Sequence, residues 1–179
     1  MRKTILTFGL ISGLIASLMM SITIPFEDKI SLDHSYLIGY ANIILSCLLI
    51  YFGIRSYRDN LGGGRITFAK AFGIGICIAL ISCLFYVVTW EILYFNFMHD
   101  YLDKYAVHVL DKARAAGATQ AALSAQAEQL KAFKLKYENP FFNGAMTFLE
   151  PFPVALVITL ISAAILRKQP RTAEPLPAV

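Results

Sequence analysis

Residues 71–90 read AFGIGICIALISCLFYVVTW (Ala71 to Trp90), twenty in succession without a charged side chain. As a helix, such a run extends about 30 Å, the depth of a bilayer's hydrocarbon core. Two other runs are equally free of charge, Thr4 to Phe26 with 23 residues and Ser35 to Ile54 with 20. A fourth runs from Pro151 to Leu166 and lengthens if Glu150 is admitted. Of 179 residues 57% are hydrophobic and only 16% charged, with a mean hydropathy of +0.59. A water-soluble domain carries about a quarter charged residues. The composition therefore excludes a soluble enzyme, a nucleic-acid-binding domain and a secreted disulfide-stapled module. It predicts an all-α integral membrane protein with four transmembrane helices, at about 4–26, 35–54, 68–95 and 147–167, forming one membrane domain over 1–168.

The placement of charge predicts the orientation. Arg2, Lys3, Arg55, Arg58, Arg65, Lys70, Arg167, Lys168 and Arg171 flank alternate spans, nine basic residues against the acids Asp59 and Glu174. The other two loops hold seven basic residues against eight acidic ones. Positive residues stay inside, so both termini are expected in the cytoplasm. The net charge of +4 then reads as topology and contact with anionic lipid, not as a nucleic-acid surface. Span one, with no A-x-A site before Glu27, reads as an uncleaved signal anchor. Cys47, Cys77 and Cys83 all fall within spans and read as small packing residues.

Helices in lipid associate by close backbone approach and interhelical hydrogen bonds, so small residues at four-residue spacing mark their contact seams. Span one carries Gly9, Gly13, Ser17 and Ser21 on one stripe; span three carries Ala71, Gly75, Ala79 and Cys83; span four carries Ala155, Thr159 and Ala163. These read as seams within one bundle before they read as a dimer motif. Asn42 and Ser46 in span two offer an amide and a hydroxyl, and Asn42 is expected to make an interhelical hydrogen bond.

The connections complete the architecture. The loop Glu27–His34 joins two adjacent antiparallel helices. Asp59-Asn60-Leu61-Gly62-Gly63-Gly64 is a turn, with Thr67 as cap of the next helix. Its glycines lack the G-x-x-x-x-G-K-[ST] frame of a phosphate cradle. After span three the helix is expected to run on over 92–116, past an aromatic belt of Tyr94, Phe95, Phe97, Tyr101 and Tyr105. Ala116-Gly117-Ala118-Thr119 stops it, and a second helix follows over 119–138 until Asn139-Pro140. Together they predict a non-cytoplasmic helical hairpin at about 96–138, whose stripes of Leu102, Tyr105 and Val109 and of Leu123, Leu130, Phe133 and Tyr137 cover each other.

The entry to span three, Gly63-Gly64-Arg65-Ile66-Thr67-Phe68-Ala69-Lys70-Ala71-Phe72-Gly73-Ile74-Gly75, resembles the glycine, Thr-Phe and basic pattern of the bacterial membrane family catalogued as domain of unknown function 4199. Asn139-Pro140 and the closing Ile158-Thr159-Leu160-Ile161-Ser162-Ala163-Ala164-Ile165-Leu166-Arg167-Lys168 resemble it too, and the likeness covers about Thr4 to Lys168. The resemblance implies a four-span protein of the bacterial inner membrane. It implies no activity and carries over no functional residue. The tail at 169–179 lies outside it and reads as a disordered cytoplasmic end.

Two carboxylates remain within the spans, Glu91 and Glu150, and an ionisable group in a membrane helix is a functional candidate. Glu91 lies 21 residues from Lys70 and Glu150 17 from Arg167, which puts both near the outer boundary at similar height. They form a candidate proton or cation pair. The alternative is a cap for Glu150, which precedes Pro151, and a headgroup-level anchor for Glu91 beside Trp90 and Tyr94. His99 with Asp103 and His108 with Asp111 have the spacing of surface pairs, without a third metal ligand. No catalytic set, metal or cofactor is expected. The leading expectation is a non-enzymatic protein whose partners are the bilayer and another membrane protein or a second copy of itself. A small transporter using Glu91 and Glu150 is the second, and an enzyme acting on lipid headgroups the third.

Overall fold

The computed structural model describes residues 1–23 and 32–168; the loop at Glu27–His34 falls largely outside these and the tail at 169–179 wholly so. Among the described residues seven helices follow one another: α1 (Arg2–Thr23), α2 (Leu32–Asn60), α3 (Phe68–Phe97), α4 (Tyr101–Ala115), α5 (Gln120–Tyr137), α6 (Pro140–Phe148) and α7 (Pro151–Leu166). Four segments are long and apolar enough to cross a membrane: α1, α2 from Leu37, α3, and α6 with α7 taken together over Pro140–Leu166. The chain is an all-α integral membrane protein of four spans, with α4 and α5 as a hairpin between the third and the fourth.

A fixed register locks α1 against α3. Gly9 faces Ile81, Gly13 faces Phe85, and Ser17 is hydrogen-bonded by the Thr89 hydroxyl at 2.7 Å, each pair 72 positions apart. The four-residue stripe of α1 therefore runs parallel to a four-residue stripe of α3, and glycine lets the two backbones close up. A Cβ on Gly13 would come within 2.6 Å of the Phe85 ring. On the other side of α3, a Cβ on Gly75 would come within 2.7 Å of Thr159 in α7 and 2.9 Å of Ile54 in α2. Ala79 is wholly buried beside it, whereas Ser21 at the end of the α1 stripe is exposed.

Helix α2 runs antiparallel to α1 and is pinned by polar side chains. The Asn42 amide donates to the Ala16 carbonyl at 3.2 Å. The Ser12 hydroxyl lies 2.8 Å from the Ser46 carbonyl and 2.9 Å from the Ser82 hydroxyl; with one proton it donates to one and accepts from the other. Such bonds contribute about 0.6 kcal/mol each in membrane bundles. They fix register more than stability. Both α1 and α7 pack on α2 and on α3, and Ile50, Ile54, Ile74 and Ile78 fill the centre at 0–1% exposure. At the end bearing the α2–α3 turn, Ile66 and Lys168 form an isolated antiparallel bridge that ties the turn to the end of α7.

Three boundaries differ from those expected. Helix α2 continues past Ile54 to Asn60, carrying Arg55, Arg58 and Asp59 beyond the uncharged run, because Asp59 pairs with both arginines along the helix. The helix does not run on unbroken over 92–116. It ends at Phe97 and restarts at Tyr101. On a continuous helix the Cα atoms of Trp90 and Tyr101 would lie about 16 Å apart; the break brings their rings into edge contact at 5.2 Å. Span four, expected at 147–167, begins at Pro140 and is divided between α6 and α7. Pro151 and Pro153 lack the amides that would bond back to Thr147 and Leu149.

The hairpin arms are correspondingly shorter, 15 and 18 residues. Gly117 at φ +84° makes the reversal, and the Thr119 hydroxyl accepts from the Ala122 amide to start α5. Leu102 and Leu123 are buried between the arms, and Lys134 reaches across to Asp103 at 2.6 Å.

Candidate functional site

Polar side chains collect where the hairpin meets the bundle. Asn139 caps α6, its side-chain oxygen accepting from the amides of Phe141 at 2.9 Å and Phe142 at 3.3 Å. With Pro140 opening the helix, this start sets Asn143 and Thr147 one turn apart on the face turned inward. They are 0% and 1% exposed. The Thr147 hydroxyl donates to Asn143 Oδ1 at 3.2 Å, and the Asn143 amide donates to the Tyr137 carbonyl at 3.3 Å. The Tyr137 hydroxyl lies 3.4 Å from Thr147, and Trp90 Nε1 donates to it at 3.1 Å.

The protons run one way through this set: from Trp90 to Tyr137, to Thr147, to Asn143, and from the Asn143 amide to a carbonyl at the end of α5. Every member named has a partner, so the network serves as a joint between α3, α5 and α6. Burial pushes the Tyr137 phenol up, which keeps it protonated and able to donate. Sequence reasoning placed Tyr137 on an apolar stripe and missed Asn143 and Thr147. The available signal was an Asn and a Thr at i,i+4 within nine otherwise apolar or small residues.

The two carboxylates sit around this joint on different partners. Glu150 occupies the position before α7, but its side chain makes no capping bond. A cap accepts from the second or third helical amide; here the third position is Pro153, and Pro151 holds the first. Instead Tyr86 of α3 donates its hydroxyl to Glu150 Oε2 at 3.0 Å. The capping alternative is thereby replaced by an interhelical bond. Glu91 points toward α6, its Oε1 3.4 Å from where a Cβ on Gly144 would stand. That oxygen is buried and, among the described residues, has no hydrogen-bond partner. Glu91 lies five residues beyond Tyr86, about 140° round α3, and among the described residues no hydrogen bond joins it to Glu150.

This separation makes a measurable claim. Glu91→Gln is expected to hold or raise thermal stability in detergent, since it removes a charge that has no partner. Combined with Glu150→Gln, the changes are expected to add within about 0.5 kcal/mol. A larger coupling would mean that the carboxylates touch and share a proton or ion.

The histidine–aspartate pairs of the hairpin region are divided among other partners. Asp103 is held by Lys134, and Asp111 by Arg114 at 2.7 Å. Among the described residues no three His, Cys, Asp or Glu side chains form a group able to hold a metal ion.

No curated protein and no solved structure matches the chain. Residues 7–168, which take in α1 from its sixth residue and everything described after it, the glycine turn entering α3 and the closing helix α7 included, match the model of one family, and the chain belongs to that family, described as protein of unknown function (DUF4199).

Proposed function

We propose that this membrane protein is a non-enzymatic component of the bacterial inner membrane, with both termini in the cytoplasm. It acts by association, as an accessory subunit of another membrane protein or as a self-associating bundle. The supporting observation is the contrast between a filled centre and an uncovered hairpin. Four isoleucines at 0–1% exposure occupy the middle of the bundle, where a polar conduit would have to pass. Outside the spans, Val107 on α4 is 60% exposed and Leu135 on α5 is 65% exposed. Apolar side chains presented beyond the lipid are available to the buried centre of a protein interface.

Photoreactive side chains placed at positions 107 and 135 of the full chain, in native membranes, test this reading. The expected result is one adduct of defined mass, equal to a second copy or to one other membrane protein. Its absence at both positions, with a monomeric mass in mild detergent, would overturn the reading. The second reading, a small transporter or ion-conducting protein using Glu91 and Glu150, is favoured by the unpartnered oxygen of Glu91. It expects ion-dependent stabilisation that Glu91→Gln abolishes.

A further inference from the structure

Two distant stretches of chain meet at one edge of the bundle, at the end bearing the α2–α3 turn. The Ile66 amide donates to the Lys168 carbonyl at 3.1 Å, and the Lys168 amide to the Ile66 carbonyl at 2.9 Å. This bridge holds Arg65, Arg167 and Lys168 within one residue of the same two hydrogen bonds. All three side chains are exposed, and none is in an ion pair among the described residues. Asp59, in the last turn of α2, is already held by Arg58 at 2.7 Å and Arg55 at 3.5 Å. Lys70 is drawn off over the Tyr57 ring, 5.3 Å from its centre.

Three cations gathered at one edge of the bundle repel one another unless an anion stands near them. Their depth says which anion. Arg167 directly follows Leu166, the last residue of α7, so the charges lie where the hydrocarbon ends. The patch is also flanked by apolar surface that faces outward, with Ile165 67% exposed and Phe68 39% exposed. A soluble anion would need only the charges; a lipid would use both. We propose that the Ile66–Lys168 edge binds the phosphodiester headgroup of an anionic phospholipid, with Arg65, Arg167 and Lys168 on the phosphate and the acyl chains along Ile165 and Phe68.

A built patch must be told from the diffuse field of all the basic residues at that end. Arg2 and Lys3 provide the comparison. They lie at the same end, since Phe8 of α1 packs beside Gly53 of α2, but α1 and α7 flank the α2–α3 pair from different sides.

The full-length protein in a neutral detergent is titrated with phosphatidylglycerol and, separately, with inorganic phosphate. Thermal unfolding and native mass spectrometry of retained lipid are the readouts. Phosphatidylglycerol is expected to bind and to raise the unfolding midpoint. Each cation at a headgroup contributes about fivefold, so in about 0.15 M salt Arg65→Gln with Arg167→Gln and Lys168→Gln should weaken binding about 100-fold by that rule. Arg2→Gln with Lys3→Gln should weaken it less than about twofold, because screening isolates charges beyond a Debye length. If the triple variant does not fold, Arg167→Gln alone carries the test, with a loss of about fivefold. Equal weakening in the Arg2 and Lys3 variant would overturn the patch, and equal stabilisation by inorganic phosphate would overturn its assignment to lipid.

Discussion

Gly75→Leu is expected to remove nearly all folded protein, at least tenfold less monodisperse yield in mild detergent than Leu14→Ala gives. Even the first added carbon would stand 2.7 Å from Thr159, 2.9 Å from Ile54 and 3.2 Å from Ile50, so α3 would be forced from α2 and α7 together. Overpacking by a methylene or two costs about 1–3 kcal/mol, and leucine adds four carbons at a three-helix contact. Leu14, by contrast, is 50% exposed on the lipid-facing side of α1. Gly13→Leu should be nearly as damaging, through Phe85. Size-exclusion profiles of the two glycine variants and Leu14→Ala decide the matter; equal yields would mean that the glycine seams do not hold the bundle together.

Asn143→Ala is expected to loosen the hairpin while the four spans stay assembled. The substitution removes the donor to the Tyr137 carbonyl and the acceptor for Thr147 in a site of 0% exposure. A buried polar group left without its partner costs about 1–3 kcal/mol, and the void adds to that. The predicted result is faster proteolysis near Glu138 and Asn139, with an unchanged detergent-resistant core. Tyr137→Phe should act in the same direction and less strongly, since it deprives the Trp90 ring N–H and Thr147 but leaves the backbone bond. Unchanged proteolysis in both variants would show that the network is not what joins hairpin to bundle.

The spans were legible because a bilayer demands about twenty uncharged residues in a row, and charge is read directly from sequence. Small residues at four-residue spacing were legible for a related reason. The contact of Gly9, Gly13 and Ser17 with α3 needs only a helical period, although which neighbour they meet does not follow from it. The break at Met98–Asp100 was not legible. It is set by the Trp90, Tyr94, Tyr101 and Tyr137 rings packing on one another, and Tyr137 lies 36 positions beyond Tyr101. Asn143 and Thr147 were overlooked because, beyond their bond to each other, their partner Tyr137 belongs to another helix. For Glu91 and Glu150, counting residues gave the depth along each span. It gave nothing about azimuth, and azimuth sends one carboxylate to Tyr86 and the other toward Gly144.

The most direct test of the four-span arrangement is thiol labelling from one side of the membrane. Ser124 is exposed on α5 of the hairpin and Leu61 is 59% exposed in the α2–α3 turn; Leu61 serves better than Gly63, whose φ of +58° disfavours a side chain. Ser124→Cys and Leu61→Cys are each introduced in a background lacking Cys47, Cys77 and Cys83, and intact spheroplasts are treated with an impermeant maleimide. With three spans between the amino terminus and the hairpin, and the positive turn inside, Ser124→Cys is predicted to react and Leu61→Cys to react only after lysis. Labelling of both in intact cells, or of neither, would contradict the four-span account; labelling of Leu61→Cys alone would reverse its orientation.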